Sequence, residues 1–180
     1  VTATYDHAGG ARSFYLNGDN LTLDGVAIDG AALGPDGFDH DETGIVIKAP
    51  PLEFVLTTET TINPVANTAL EGLYMSSGMY CPQCEAEGFR RVPFYPDRPD
   101  VLAVYTVTID GDRGTCPVLL SNGNLIEETD LGDGRHRAVW YDPFPKPSYL
   151  FALVAGDLGC LEDSFTTASE RHVDLKIWSE

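Results

Sequence analysis

Apolar and polar residues alternate one for one through much of this chain, and glycine-containing turn signals interrupt the alternation at short intervals. A period of two places successive side chains on opposite faces of an extended backbone, so each run reads as a half-buried strand. In "LEFVLTTETTI", Leu52, Phe54, Leu56 and Ile62 point one way while Glu53, Thr57 and Glu59 point the other. Ala103, Tyr105, Val107 and Ile109 share a face in "VLAVYTVTID", as do Val173, Leu175 and Ile177 in "HVDLKIWSE". "YLFALVAG", from Tyr149 to Gly156, is apolar on both faces and is predicted to be a central strand covered on both sides. The turn signals are Asp29-Gly30, Pro35-Asp36-Gly37, Asp110-Gly111, Asn122-Gly123 and Asp133-Gly134, with Asp24-Gly25 competing against Asp29-Gly30 for one turn. No long window keeps a helical period, and 18 Gly with 12 Pro oppose long helices. Many short strands with frequent turns predict an all-β fold, a sandwich or an open, barrel-like sheet.

At 180 residues the chain can bury roughly 70% of its unfolded surface. With no internal repeat, low-complexity tract or linker, residues 1–180 read as a single domain. A composition of 43% hydrophobic and 22% charged residues excludes a disordered chain. The longest apolar stretch is too short to cross a bilayer and no signal-like segment opens the chain, so it reads as soluble. Eleven basic residues against 28 acidic ones give a net charge of -17, which repels phosphate backbones and anionic lipid. Nucleic acid and membrane are therefore excluded as partners. A cationic ligand suits such a surface, although acidity also serves solubility alone. Four cysteines, irregularly spaced after the first pair, are too few for a disulfide framework and favour a reducing compartment such as the cytoplasm. The chain starts at Val1, directly in strand-like sequence, and is expected to be a piece of a longer one.

The segment "YCPQCEAEGFRR", Tyr80 to Arg91, carries the chemistry most open to reading. Its Cys81-x-x-Cys84 could be a redox pair, half of a zinc site, or two small packing residues. A redox pair requires a helix N-terminus in a βαβ unit, a context absent here. Zinc would need a second ligand pair from Cys116, Cys160 or a lone histidine. His7, His40, His136 and His172 are scattered and read as surface or structural residues. The carboxylate-rich loops "PDGFDHDETG" and "DGDRG" lack calcium-loop spacing and read as polar turns. Glu85, Glu87, Arg90 and Arg91 form a charge run that by pattern alone is a solvated face with local ion pairs. No complete catalytic set is present, and no phosphate-cradling glycine loop.

The blocks "NPVANTALEGLYMSSGMYCPQCEAEGFRR", "PDRPDVLAVYTVTI", "LLSNGNL", "DPFPKPSYLFALVAGDL" and "DSFTT" resemble the N-terminal β-domain of the aminopeptidase N family, of the bacterial alanyl aminopeptidase type. The likeness covers nearly the whole chain and implies a saddle-like, mostly antiparallel β-domain with little helix. In that family this domain precedes a thermolysin-like domain that carries the zinc ligands, the catalytic glutamate and a Gly-x-Met-Glu-Asn motif. None of those motifs is in this sequence, so the resemblance implies no catalytic residue and no metal ligand here, and an inactive fragment trimmed at both ends. It assigns substrate binding to Gln83 and Glu85, which match the family's Gln-x-Glu-Ala segment. Glu85 would bind the α-ammonium of a peptide N-terminus, and Gln83 would line the pocket for the first side chain. An α-amino group with a pKa of about 8 is largely cationic at neutral pH, and an internal peptide bond offers no such charge. The resemblance also implies a non-proline cis peptide between Glu85 and Ala86. Pro82 departs from the family pattern, which bears only on the local turn.

The expected parent protein is thus a zinc aminopeptidase that releases N-terminal residues from peptides, Ala-preferring but broad. Zinc is its cofactor, held by the catalytic domain, and that domain is this chain's own partner. Two rival readings remain: a noncatalytic β-sandwich module that binds protein or carbohydrate, and a small zinc or redox domain built on Cys81 and Cys84.

Overall fold

A computed structural model describes residues 2–6 and 13–179. His7 lies outside the described residues. The chain forms, in order, β1 (Thr2–Asp6), β2 (Ser13–Asn17), β3 (Thr22–Ile28), β4 (Ala31–Ala32), β5 (Phe38–Asp41) and β6 (Gly44–Lys48). There follow β7 (Glu53–Thr61), β8 (Gly72–Ser76), β9 (Met79–Gln83), β10 (Leu102–Asp112) and β11 (Val118–Ser121). The last strands are β12 (Asn124–Gly132), β13 (Arg135–Pro147), β14 (Leu153–Gly156), β15 (Gly159–Thr166) and β16 (His172–Ser179). Helix is confined, among the described residues, to three single 3-10 turns at Pro64–Ala66, Phe89–Arg91 and Ser148–Leu150. The domain is all-β, as the alternation predicts.

Among the described residues every strand pairing is antiparallel. The first half brings the sheet β2-β6-β5 against β1-β7-β3-β4. Their inward residues Leu16, Val26, Ile45, Ile47, Phe54 and Leu56 close around Phe94 in one core. Each such side chain contributes about 1.5–3 kcal/mol when fully buried. The second half brings β10-β13-β12 against β11-β14-β9-β8, with Leu119, Ala138, Ala155 and Cys116 between them. A third, aromatic cluster of Phe89, Tyr95, Tyr105 and Phe151 gathers with Cys84. Phe94 and Tyr95 join the halves, because adjacent residues of extended chain face opposite ways. Phe94 enters the first core and Tyr95 the aromatic cluster. Tyr95 also pairs with Asn17 at the end of β2, through bonds of 2.8 and 3.1 Å. Gly18 makes that approach possible, since a Cβ there would lie 2.1 Å from the Phe94 ring.

The alternation in β7 holds: Phe54, Leu56 and Thr58 are buried while Glu53, Val55 and Glu59 are exposed. Leu52 departs from it, because it precedes the strand and is exposed. Asp29-Gly30 wins over Asp24-Gly25. Both of its residues have positive φ, 50° and 80°, and they close the turn between β3 and β4, whereas Gly25 sits at a register shift inside β3. Asp133-Gly134 likewise turns, with φ of 51° and 76°. Asp110-Gly111 does not, because both residues continue β10. Glycine there leaves room for Leu119, whose Cδ2 would stand 2.9 Å from a Cβ.

"YLFALVAG" is also corrected. Only Leu153–Gly156 is strand, central between β11 and β9, while Ser148–Leu150 forms a 3-10 turn with Leu150 exposed. Two long-range contacts bend the chain there: the Ser148 hydroxyl bonds to Asp97, and Phe151 packs on Phe89. In β15 and β16, Val173, Leu175 and Ile177 share a face as predicted, opposite Leu161 and Phe165. That face is open to solvent, with Leu161 at 68% and Ile177 at 65% exposure.

Candidate substrate-anchoring loop

Gln83 ends β9, paired with Gly72 at the start of β8. Gly72 has a φ of 70°, and a Cβ on it would stand 2.5 Å from the Cβ of Arg91, so β8 and the loop's far end approach as only glycine allows. Pro82 lies within β9 opposite Leu73, so the backbone there is strand. β14 pairs with β9 only at Tyr80, and the flank left open beyond it tolerates a residue without an N–H.

From Cys84 to Gly88 the chain makes a tight loop closed by a 2.9 Å bond from the Gly88 N–H to the Cys84 carbonyl. A Cβ at Gly88 would sit 2.1 Å from the Gln83 carbonyl oxygen. The Glu85–Ala86 peptide is cis, as the resemblance implied. Cys84 at one end and Phe89 at the other are buried; Gln83, Glu85, Ala86 and Glu87 between and beside them are exposed. The Gln83 side-chain amide donates to the Glu85 carbonyl at 3.3 Å, tying the two candidate residues together.

The charges sort themselves unequally. Arg90 reaches Glu87 at 3.1 Å and Asp97 at 3.2 Å. Arg91 reaches Asp19 at 2.6 Å and Glu71 at 3.4 Å. Glu85 alone of the run makes no ion pair or side-chain hydrogen bond among the described residues. The charge-run reading therefore holds for Glu87, Arg90 and Arg91 and not for Glu85. Asp97, almost fully buried, accepts from the Arg90 backbone N–H at 3.1 Å and from the Ser148 hydroxyl at 2.5 Å.

Burial pushes the Cys84 thiol up to about 12, and the nearby Asp97 charge adds to it. An activated thiol is shifted the other way, so Cys84 is a packing residue. Cys81 stands in β9 opposite Tyr74, and no α-helix follows the pair among the described residues, only the 3-10 turn at Phe89–Arg91. Among the described residues no three His, Cys, Asp or Glu side chains gather to hold a metal ion. His136 is buried with Nε2 2.8 Å from the Cys116 carbonyl, a structural role; His40 packs on Phe94 and His172 faces Asp174. In the acidic loops Asp39 is taken up by Lys48 and Asp110 by Arg137, and Asp41 and Asp112 by their own backbone. Asp41 accepts from the Thr43 and Gly44 N–H groups, and Asp112 from that of Thr115. A hollow of about 910 Å³ lies beyond Arg90, between Tyr15, Asp19, His40, Glu42 and Phe94, and neither Gln83 nor Glu85 lines it.

The peptidase M1 N-terminal domain matches residues 21–150. This chain belongs to that family. The M1 domain is 55% identical over 163 residues to aminopeptidase N of Caulobacter vibrioides, covering 91% of this chain and 19% of that protein. It is 47% identical over 178 residues to aminopeptidase N of Escherichia coli, covering 99% of this chain and 20% of that one. Its fold matches a crystal structure of Legionella pneumophila aminopeptidase A in complex with aspartic acid, with a TM-score of 0.93 at 36% identity over 98% of this chain and 21% of that chain. An M1 zinc metallopeptidase of Deinococcus radiodurans shares the fold alone, with a TM-score of 0.82 at 15% identity over 98% of this chain and 42% of its own. The M1 domain thus spans about a fifth of the length of the curated relatives it matches.

Of the residues that shape the loop, sequence reading missed Asp97, Ser148 and Asn17. Their partners stand 51 and 80 positions apart, beyond the reach of any local pattern.

Proposed function

We propose that this domain anchors the substrate's free amino group in a zinc aminopeptidase, with Glu85 receiving the α-ammonium and Gln83 lining the pocket for the first side chain. The observation that carries the reading is the selective lack of a partner at Glu85. Its neighbours Glu87, Arg90 and Arg91 are all paired, while Glu85 stands exposed on a loop fixed at both ends. A carboxylate held ready in this way binds a primary ammonium through charge-assisted hydrogen bonds, and more strongly once a second wall excludes water. Fixing the amine sets the register of the scissile bond and selects exopeptidase over endopeptidase cleavage.

The metal chemistry is assigned to the part of the longer relatives that this chain does not span, and this chain alone is expected to be inactive. The part played by Gln83 and Glu85 is to bind and orient. Relatives named aminopeptidase N support release of N-terminal residues by the longer protein, with its catalytic domain as this domain's partner. Four unpaired thiols fit a cytoplasmic setting.

The test is Glu85→Gln in the full-length protein, with an alanyl anilide as substrate. The expected loss in kcat/KM corresponds to about 2 to 5 kcal/mol, as when one partner of a buried charge pair is truncated. An unchanged kcat/KM refutes the assignment.

A further inference from the structure

We infer that Asp97 is a positioning residue for Glu85, with Arg90 and Ser148 as its means. The inference rests on the amine-anchoring reading above. Asp97 uses every polar group it has. Its Oδ2 accepts from the backbone N–H of Arg90 at 3.1 Å and from Nε of the same residue at 3.2 Å. Its Oδ1 accepts from the Ser148 hydroxyl at 2.5 Å. Its carbonyl accepts from Nη2 of Arg90 at 3.1 Å, and its N–H donates to Oδ1 of Asn17 at 3.2 Å. One buried residue, through its side chain and its backbone, thereby ties the end of β2, the 3-10 turn after β13 and the turn that carries the loop.

The aromatic cluster under Phe89 sets how deep that turn sits, but ring contacts are weakly directional. The hydrogen bonds of Asp97 are directional, and burial strengthens them. They fix both the backbone and the side chain of Arg90, five residues beyond Glu85. They also decide where the guanidinium charge is used. With Nε held on the Asp97 carboxylate, Nη2 is shared between the Asp97 carbonyl and Glu87. Asp97 therefore holds in place the turn from which the Glu85 loop is presented.

A double-mutant cycle in the full-length protein tests this, with steady-state kinetics on an alanyl anilide. Asp97→Asn and Ser148→Ala are each made alone and combined with Glu85→Gln. Positioning predicts that Asp97→Asn raises KM about tenfold, and Ser148→Ala about threefold, with kcat little changed, because the lost contact is one made equally in ground and transition states. On the Glu85→Gln background both effects should shrink to within about twofold, since the group being positioned is gone. The same fold-loss on both backgrounds, or an unchanged KM, overturns the inference. Ser148→Ala keeps the Arg90–Asp97 ion pair, so the cycle can be read even where Asp97→Asn does not fold. If Glu85→Gln itself has no effect, the amine-anchoring reading fails. If Glu85→Gln acts but Asp97 and Ser148 are not coupled to it, only the positioning role fails.

Discussion

The turn at Phe89–Arg91 and the ribbon of β15 and β16 are both short, and they could hardly be built more differently. Every side of the turn is occupied. Phe89 meets Tyr95 at 5.1 Å and Phe151 at 4.9 Å, Arg90 is fixed on Asp97, and Arg91 on Asp19. The ribbon has a full ladder from Gly159 to Ser179 and an apolar face that faces solvent. Backbone hydrogen bonds hold both, and what separates them is side-chain closure. Alternation guarantees a strand with an apolar face; only the tertiary fold decides whether that face is covered.

The contrast is sharpest in stability. Phe89→Ala should destabilise the chain by about 4 kcal/mol, because it empties the centre of the aromatic cluster, and denaturant unfolding would show it as a lowered midpoint. A loss under about 1 kcal/mol would mean that the cluster is not a real anchor. Asp97→Ala comes next at about 3 kcal/mol, since it strands the Arg90 guanidinium and the Ser148 hydroxyl together. Arg90 retains some exposure and Glu87 as a second partner, which keeps the figure at the low end of buried-pair losses.

A pH experiment probes the same interior. The Cys84 thiol is raised from 9.0 to about 12 in the folded chain, so the folded state holds its proton longer than the unfolded state does. Its contribution to stability is full below about pH 9 and is lost as pH climbs from there toward about 12. Cys84→Ala should flatten that part of the alkaline decline. At pH 8 a thiol reagent should modify exposed Cys160 readily, and reach Cys84 and Cys116 only on unfolding. Rapid labelling of Cys84 in the native chain would contradict its burial. The smallest effects belong to the ribbon. Leu161→Lys and Ile177→Lys should each shift the unfolding midpoint by the equivalent of no more than about 0.5 kcal/mol. A large shift would show that the face is closed in solution.

Much of this architecture was legible before any coordinates. Phe54, Leu56 and Thr58 lie inward in β7 because period two is a direct property of the backbone, and Asp29-Gly30 and Asp133-Gly134 turn because both positions need positive φ. Asp110-Gly111 misled because glycine also serves close approach, here to Leu119, and a dipeptide does not say which need it meets. The candidate site was legible only through family likeness. By pattern, Glu85 was one of four charges in a run, and only the pairing of the other three sets it apart. Asp97 was invisible, since "PDRPD" reads as loop and its partners come from remote segments.

Gln83 and Glu85 are exposed on the loop, while Cys84, Gly88 and Phe89, buried, hold it up. Over generations the two sets come under separate pressures. Substitutions among the buried supports are purged because they unfold the domain, whereas a change at either exposed position leaves the folded population intact. Under the anchoring role proposed for these two residues, a lineage could adjust its taste for particular peptide ends in single mutational steps, each of them passing through a protein that still folds.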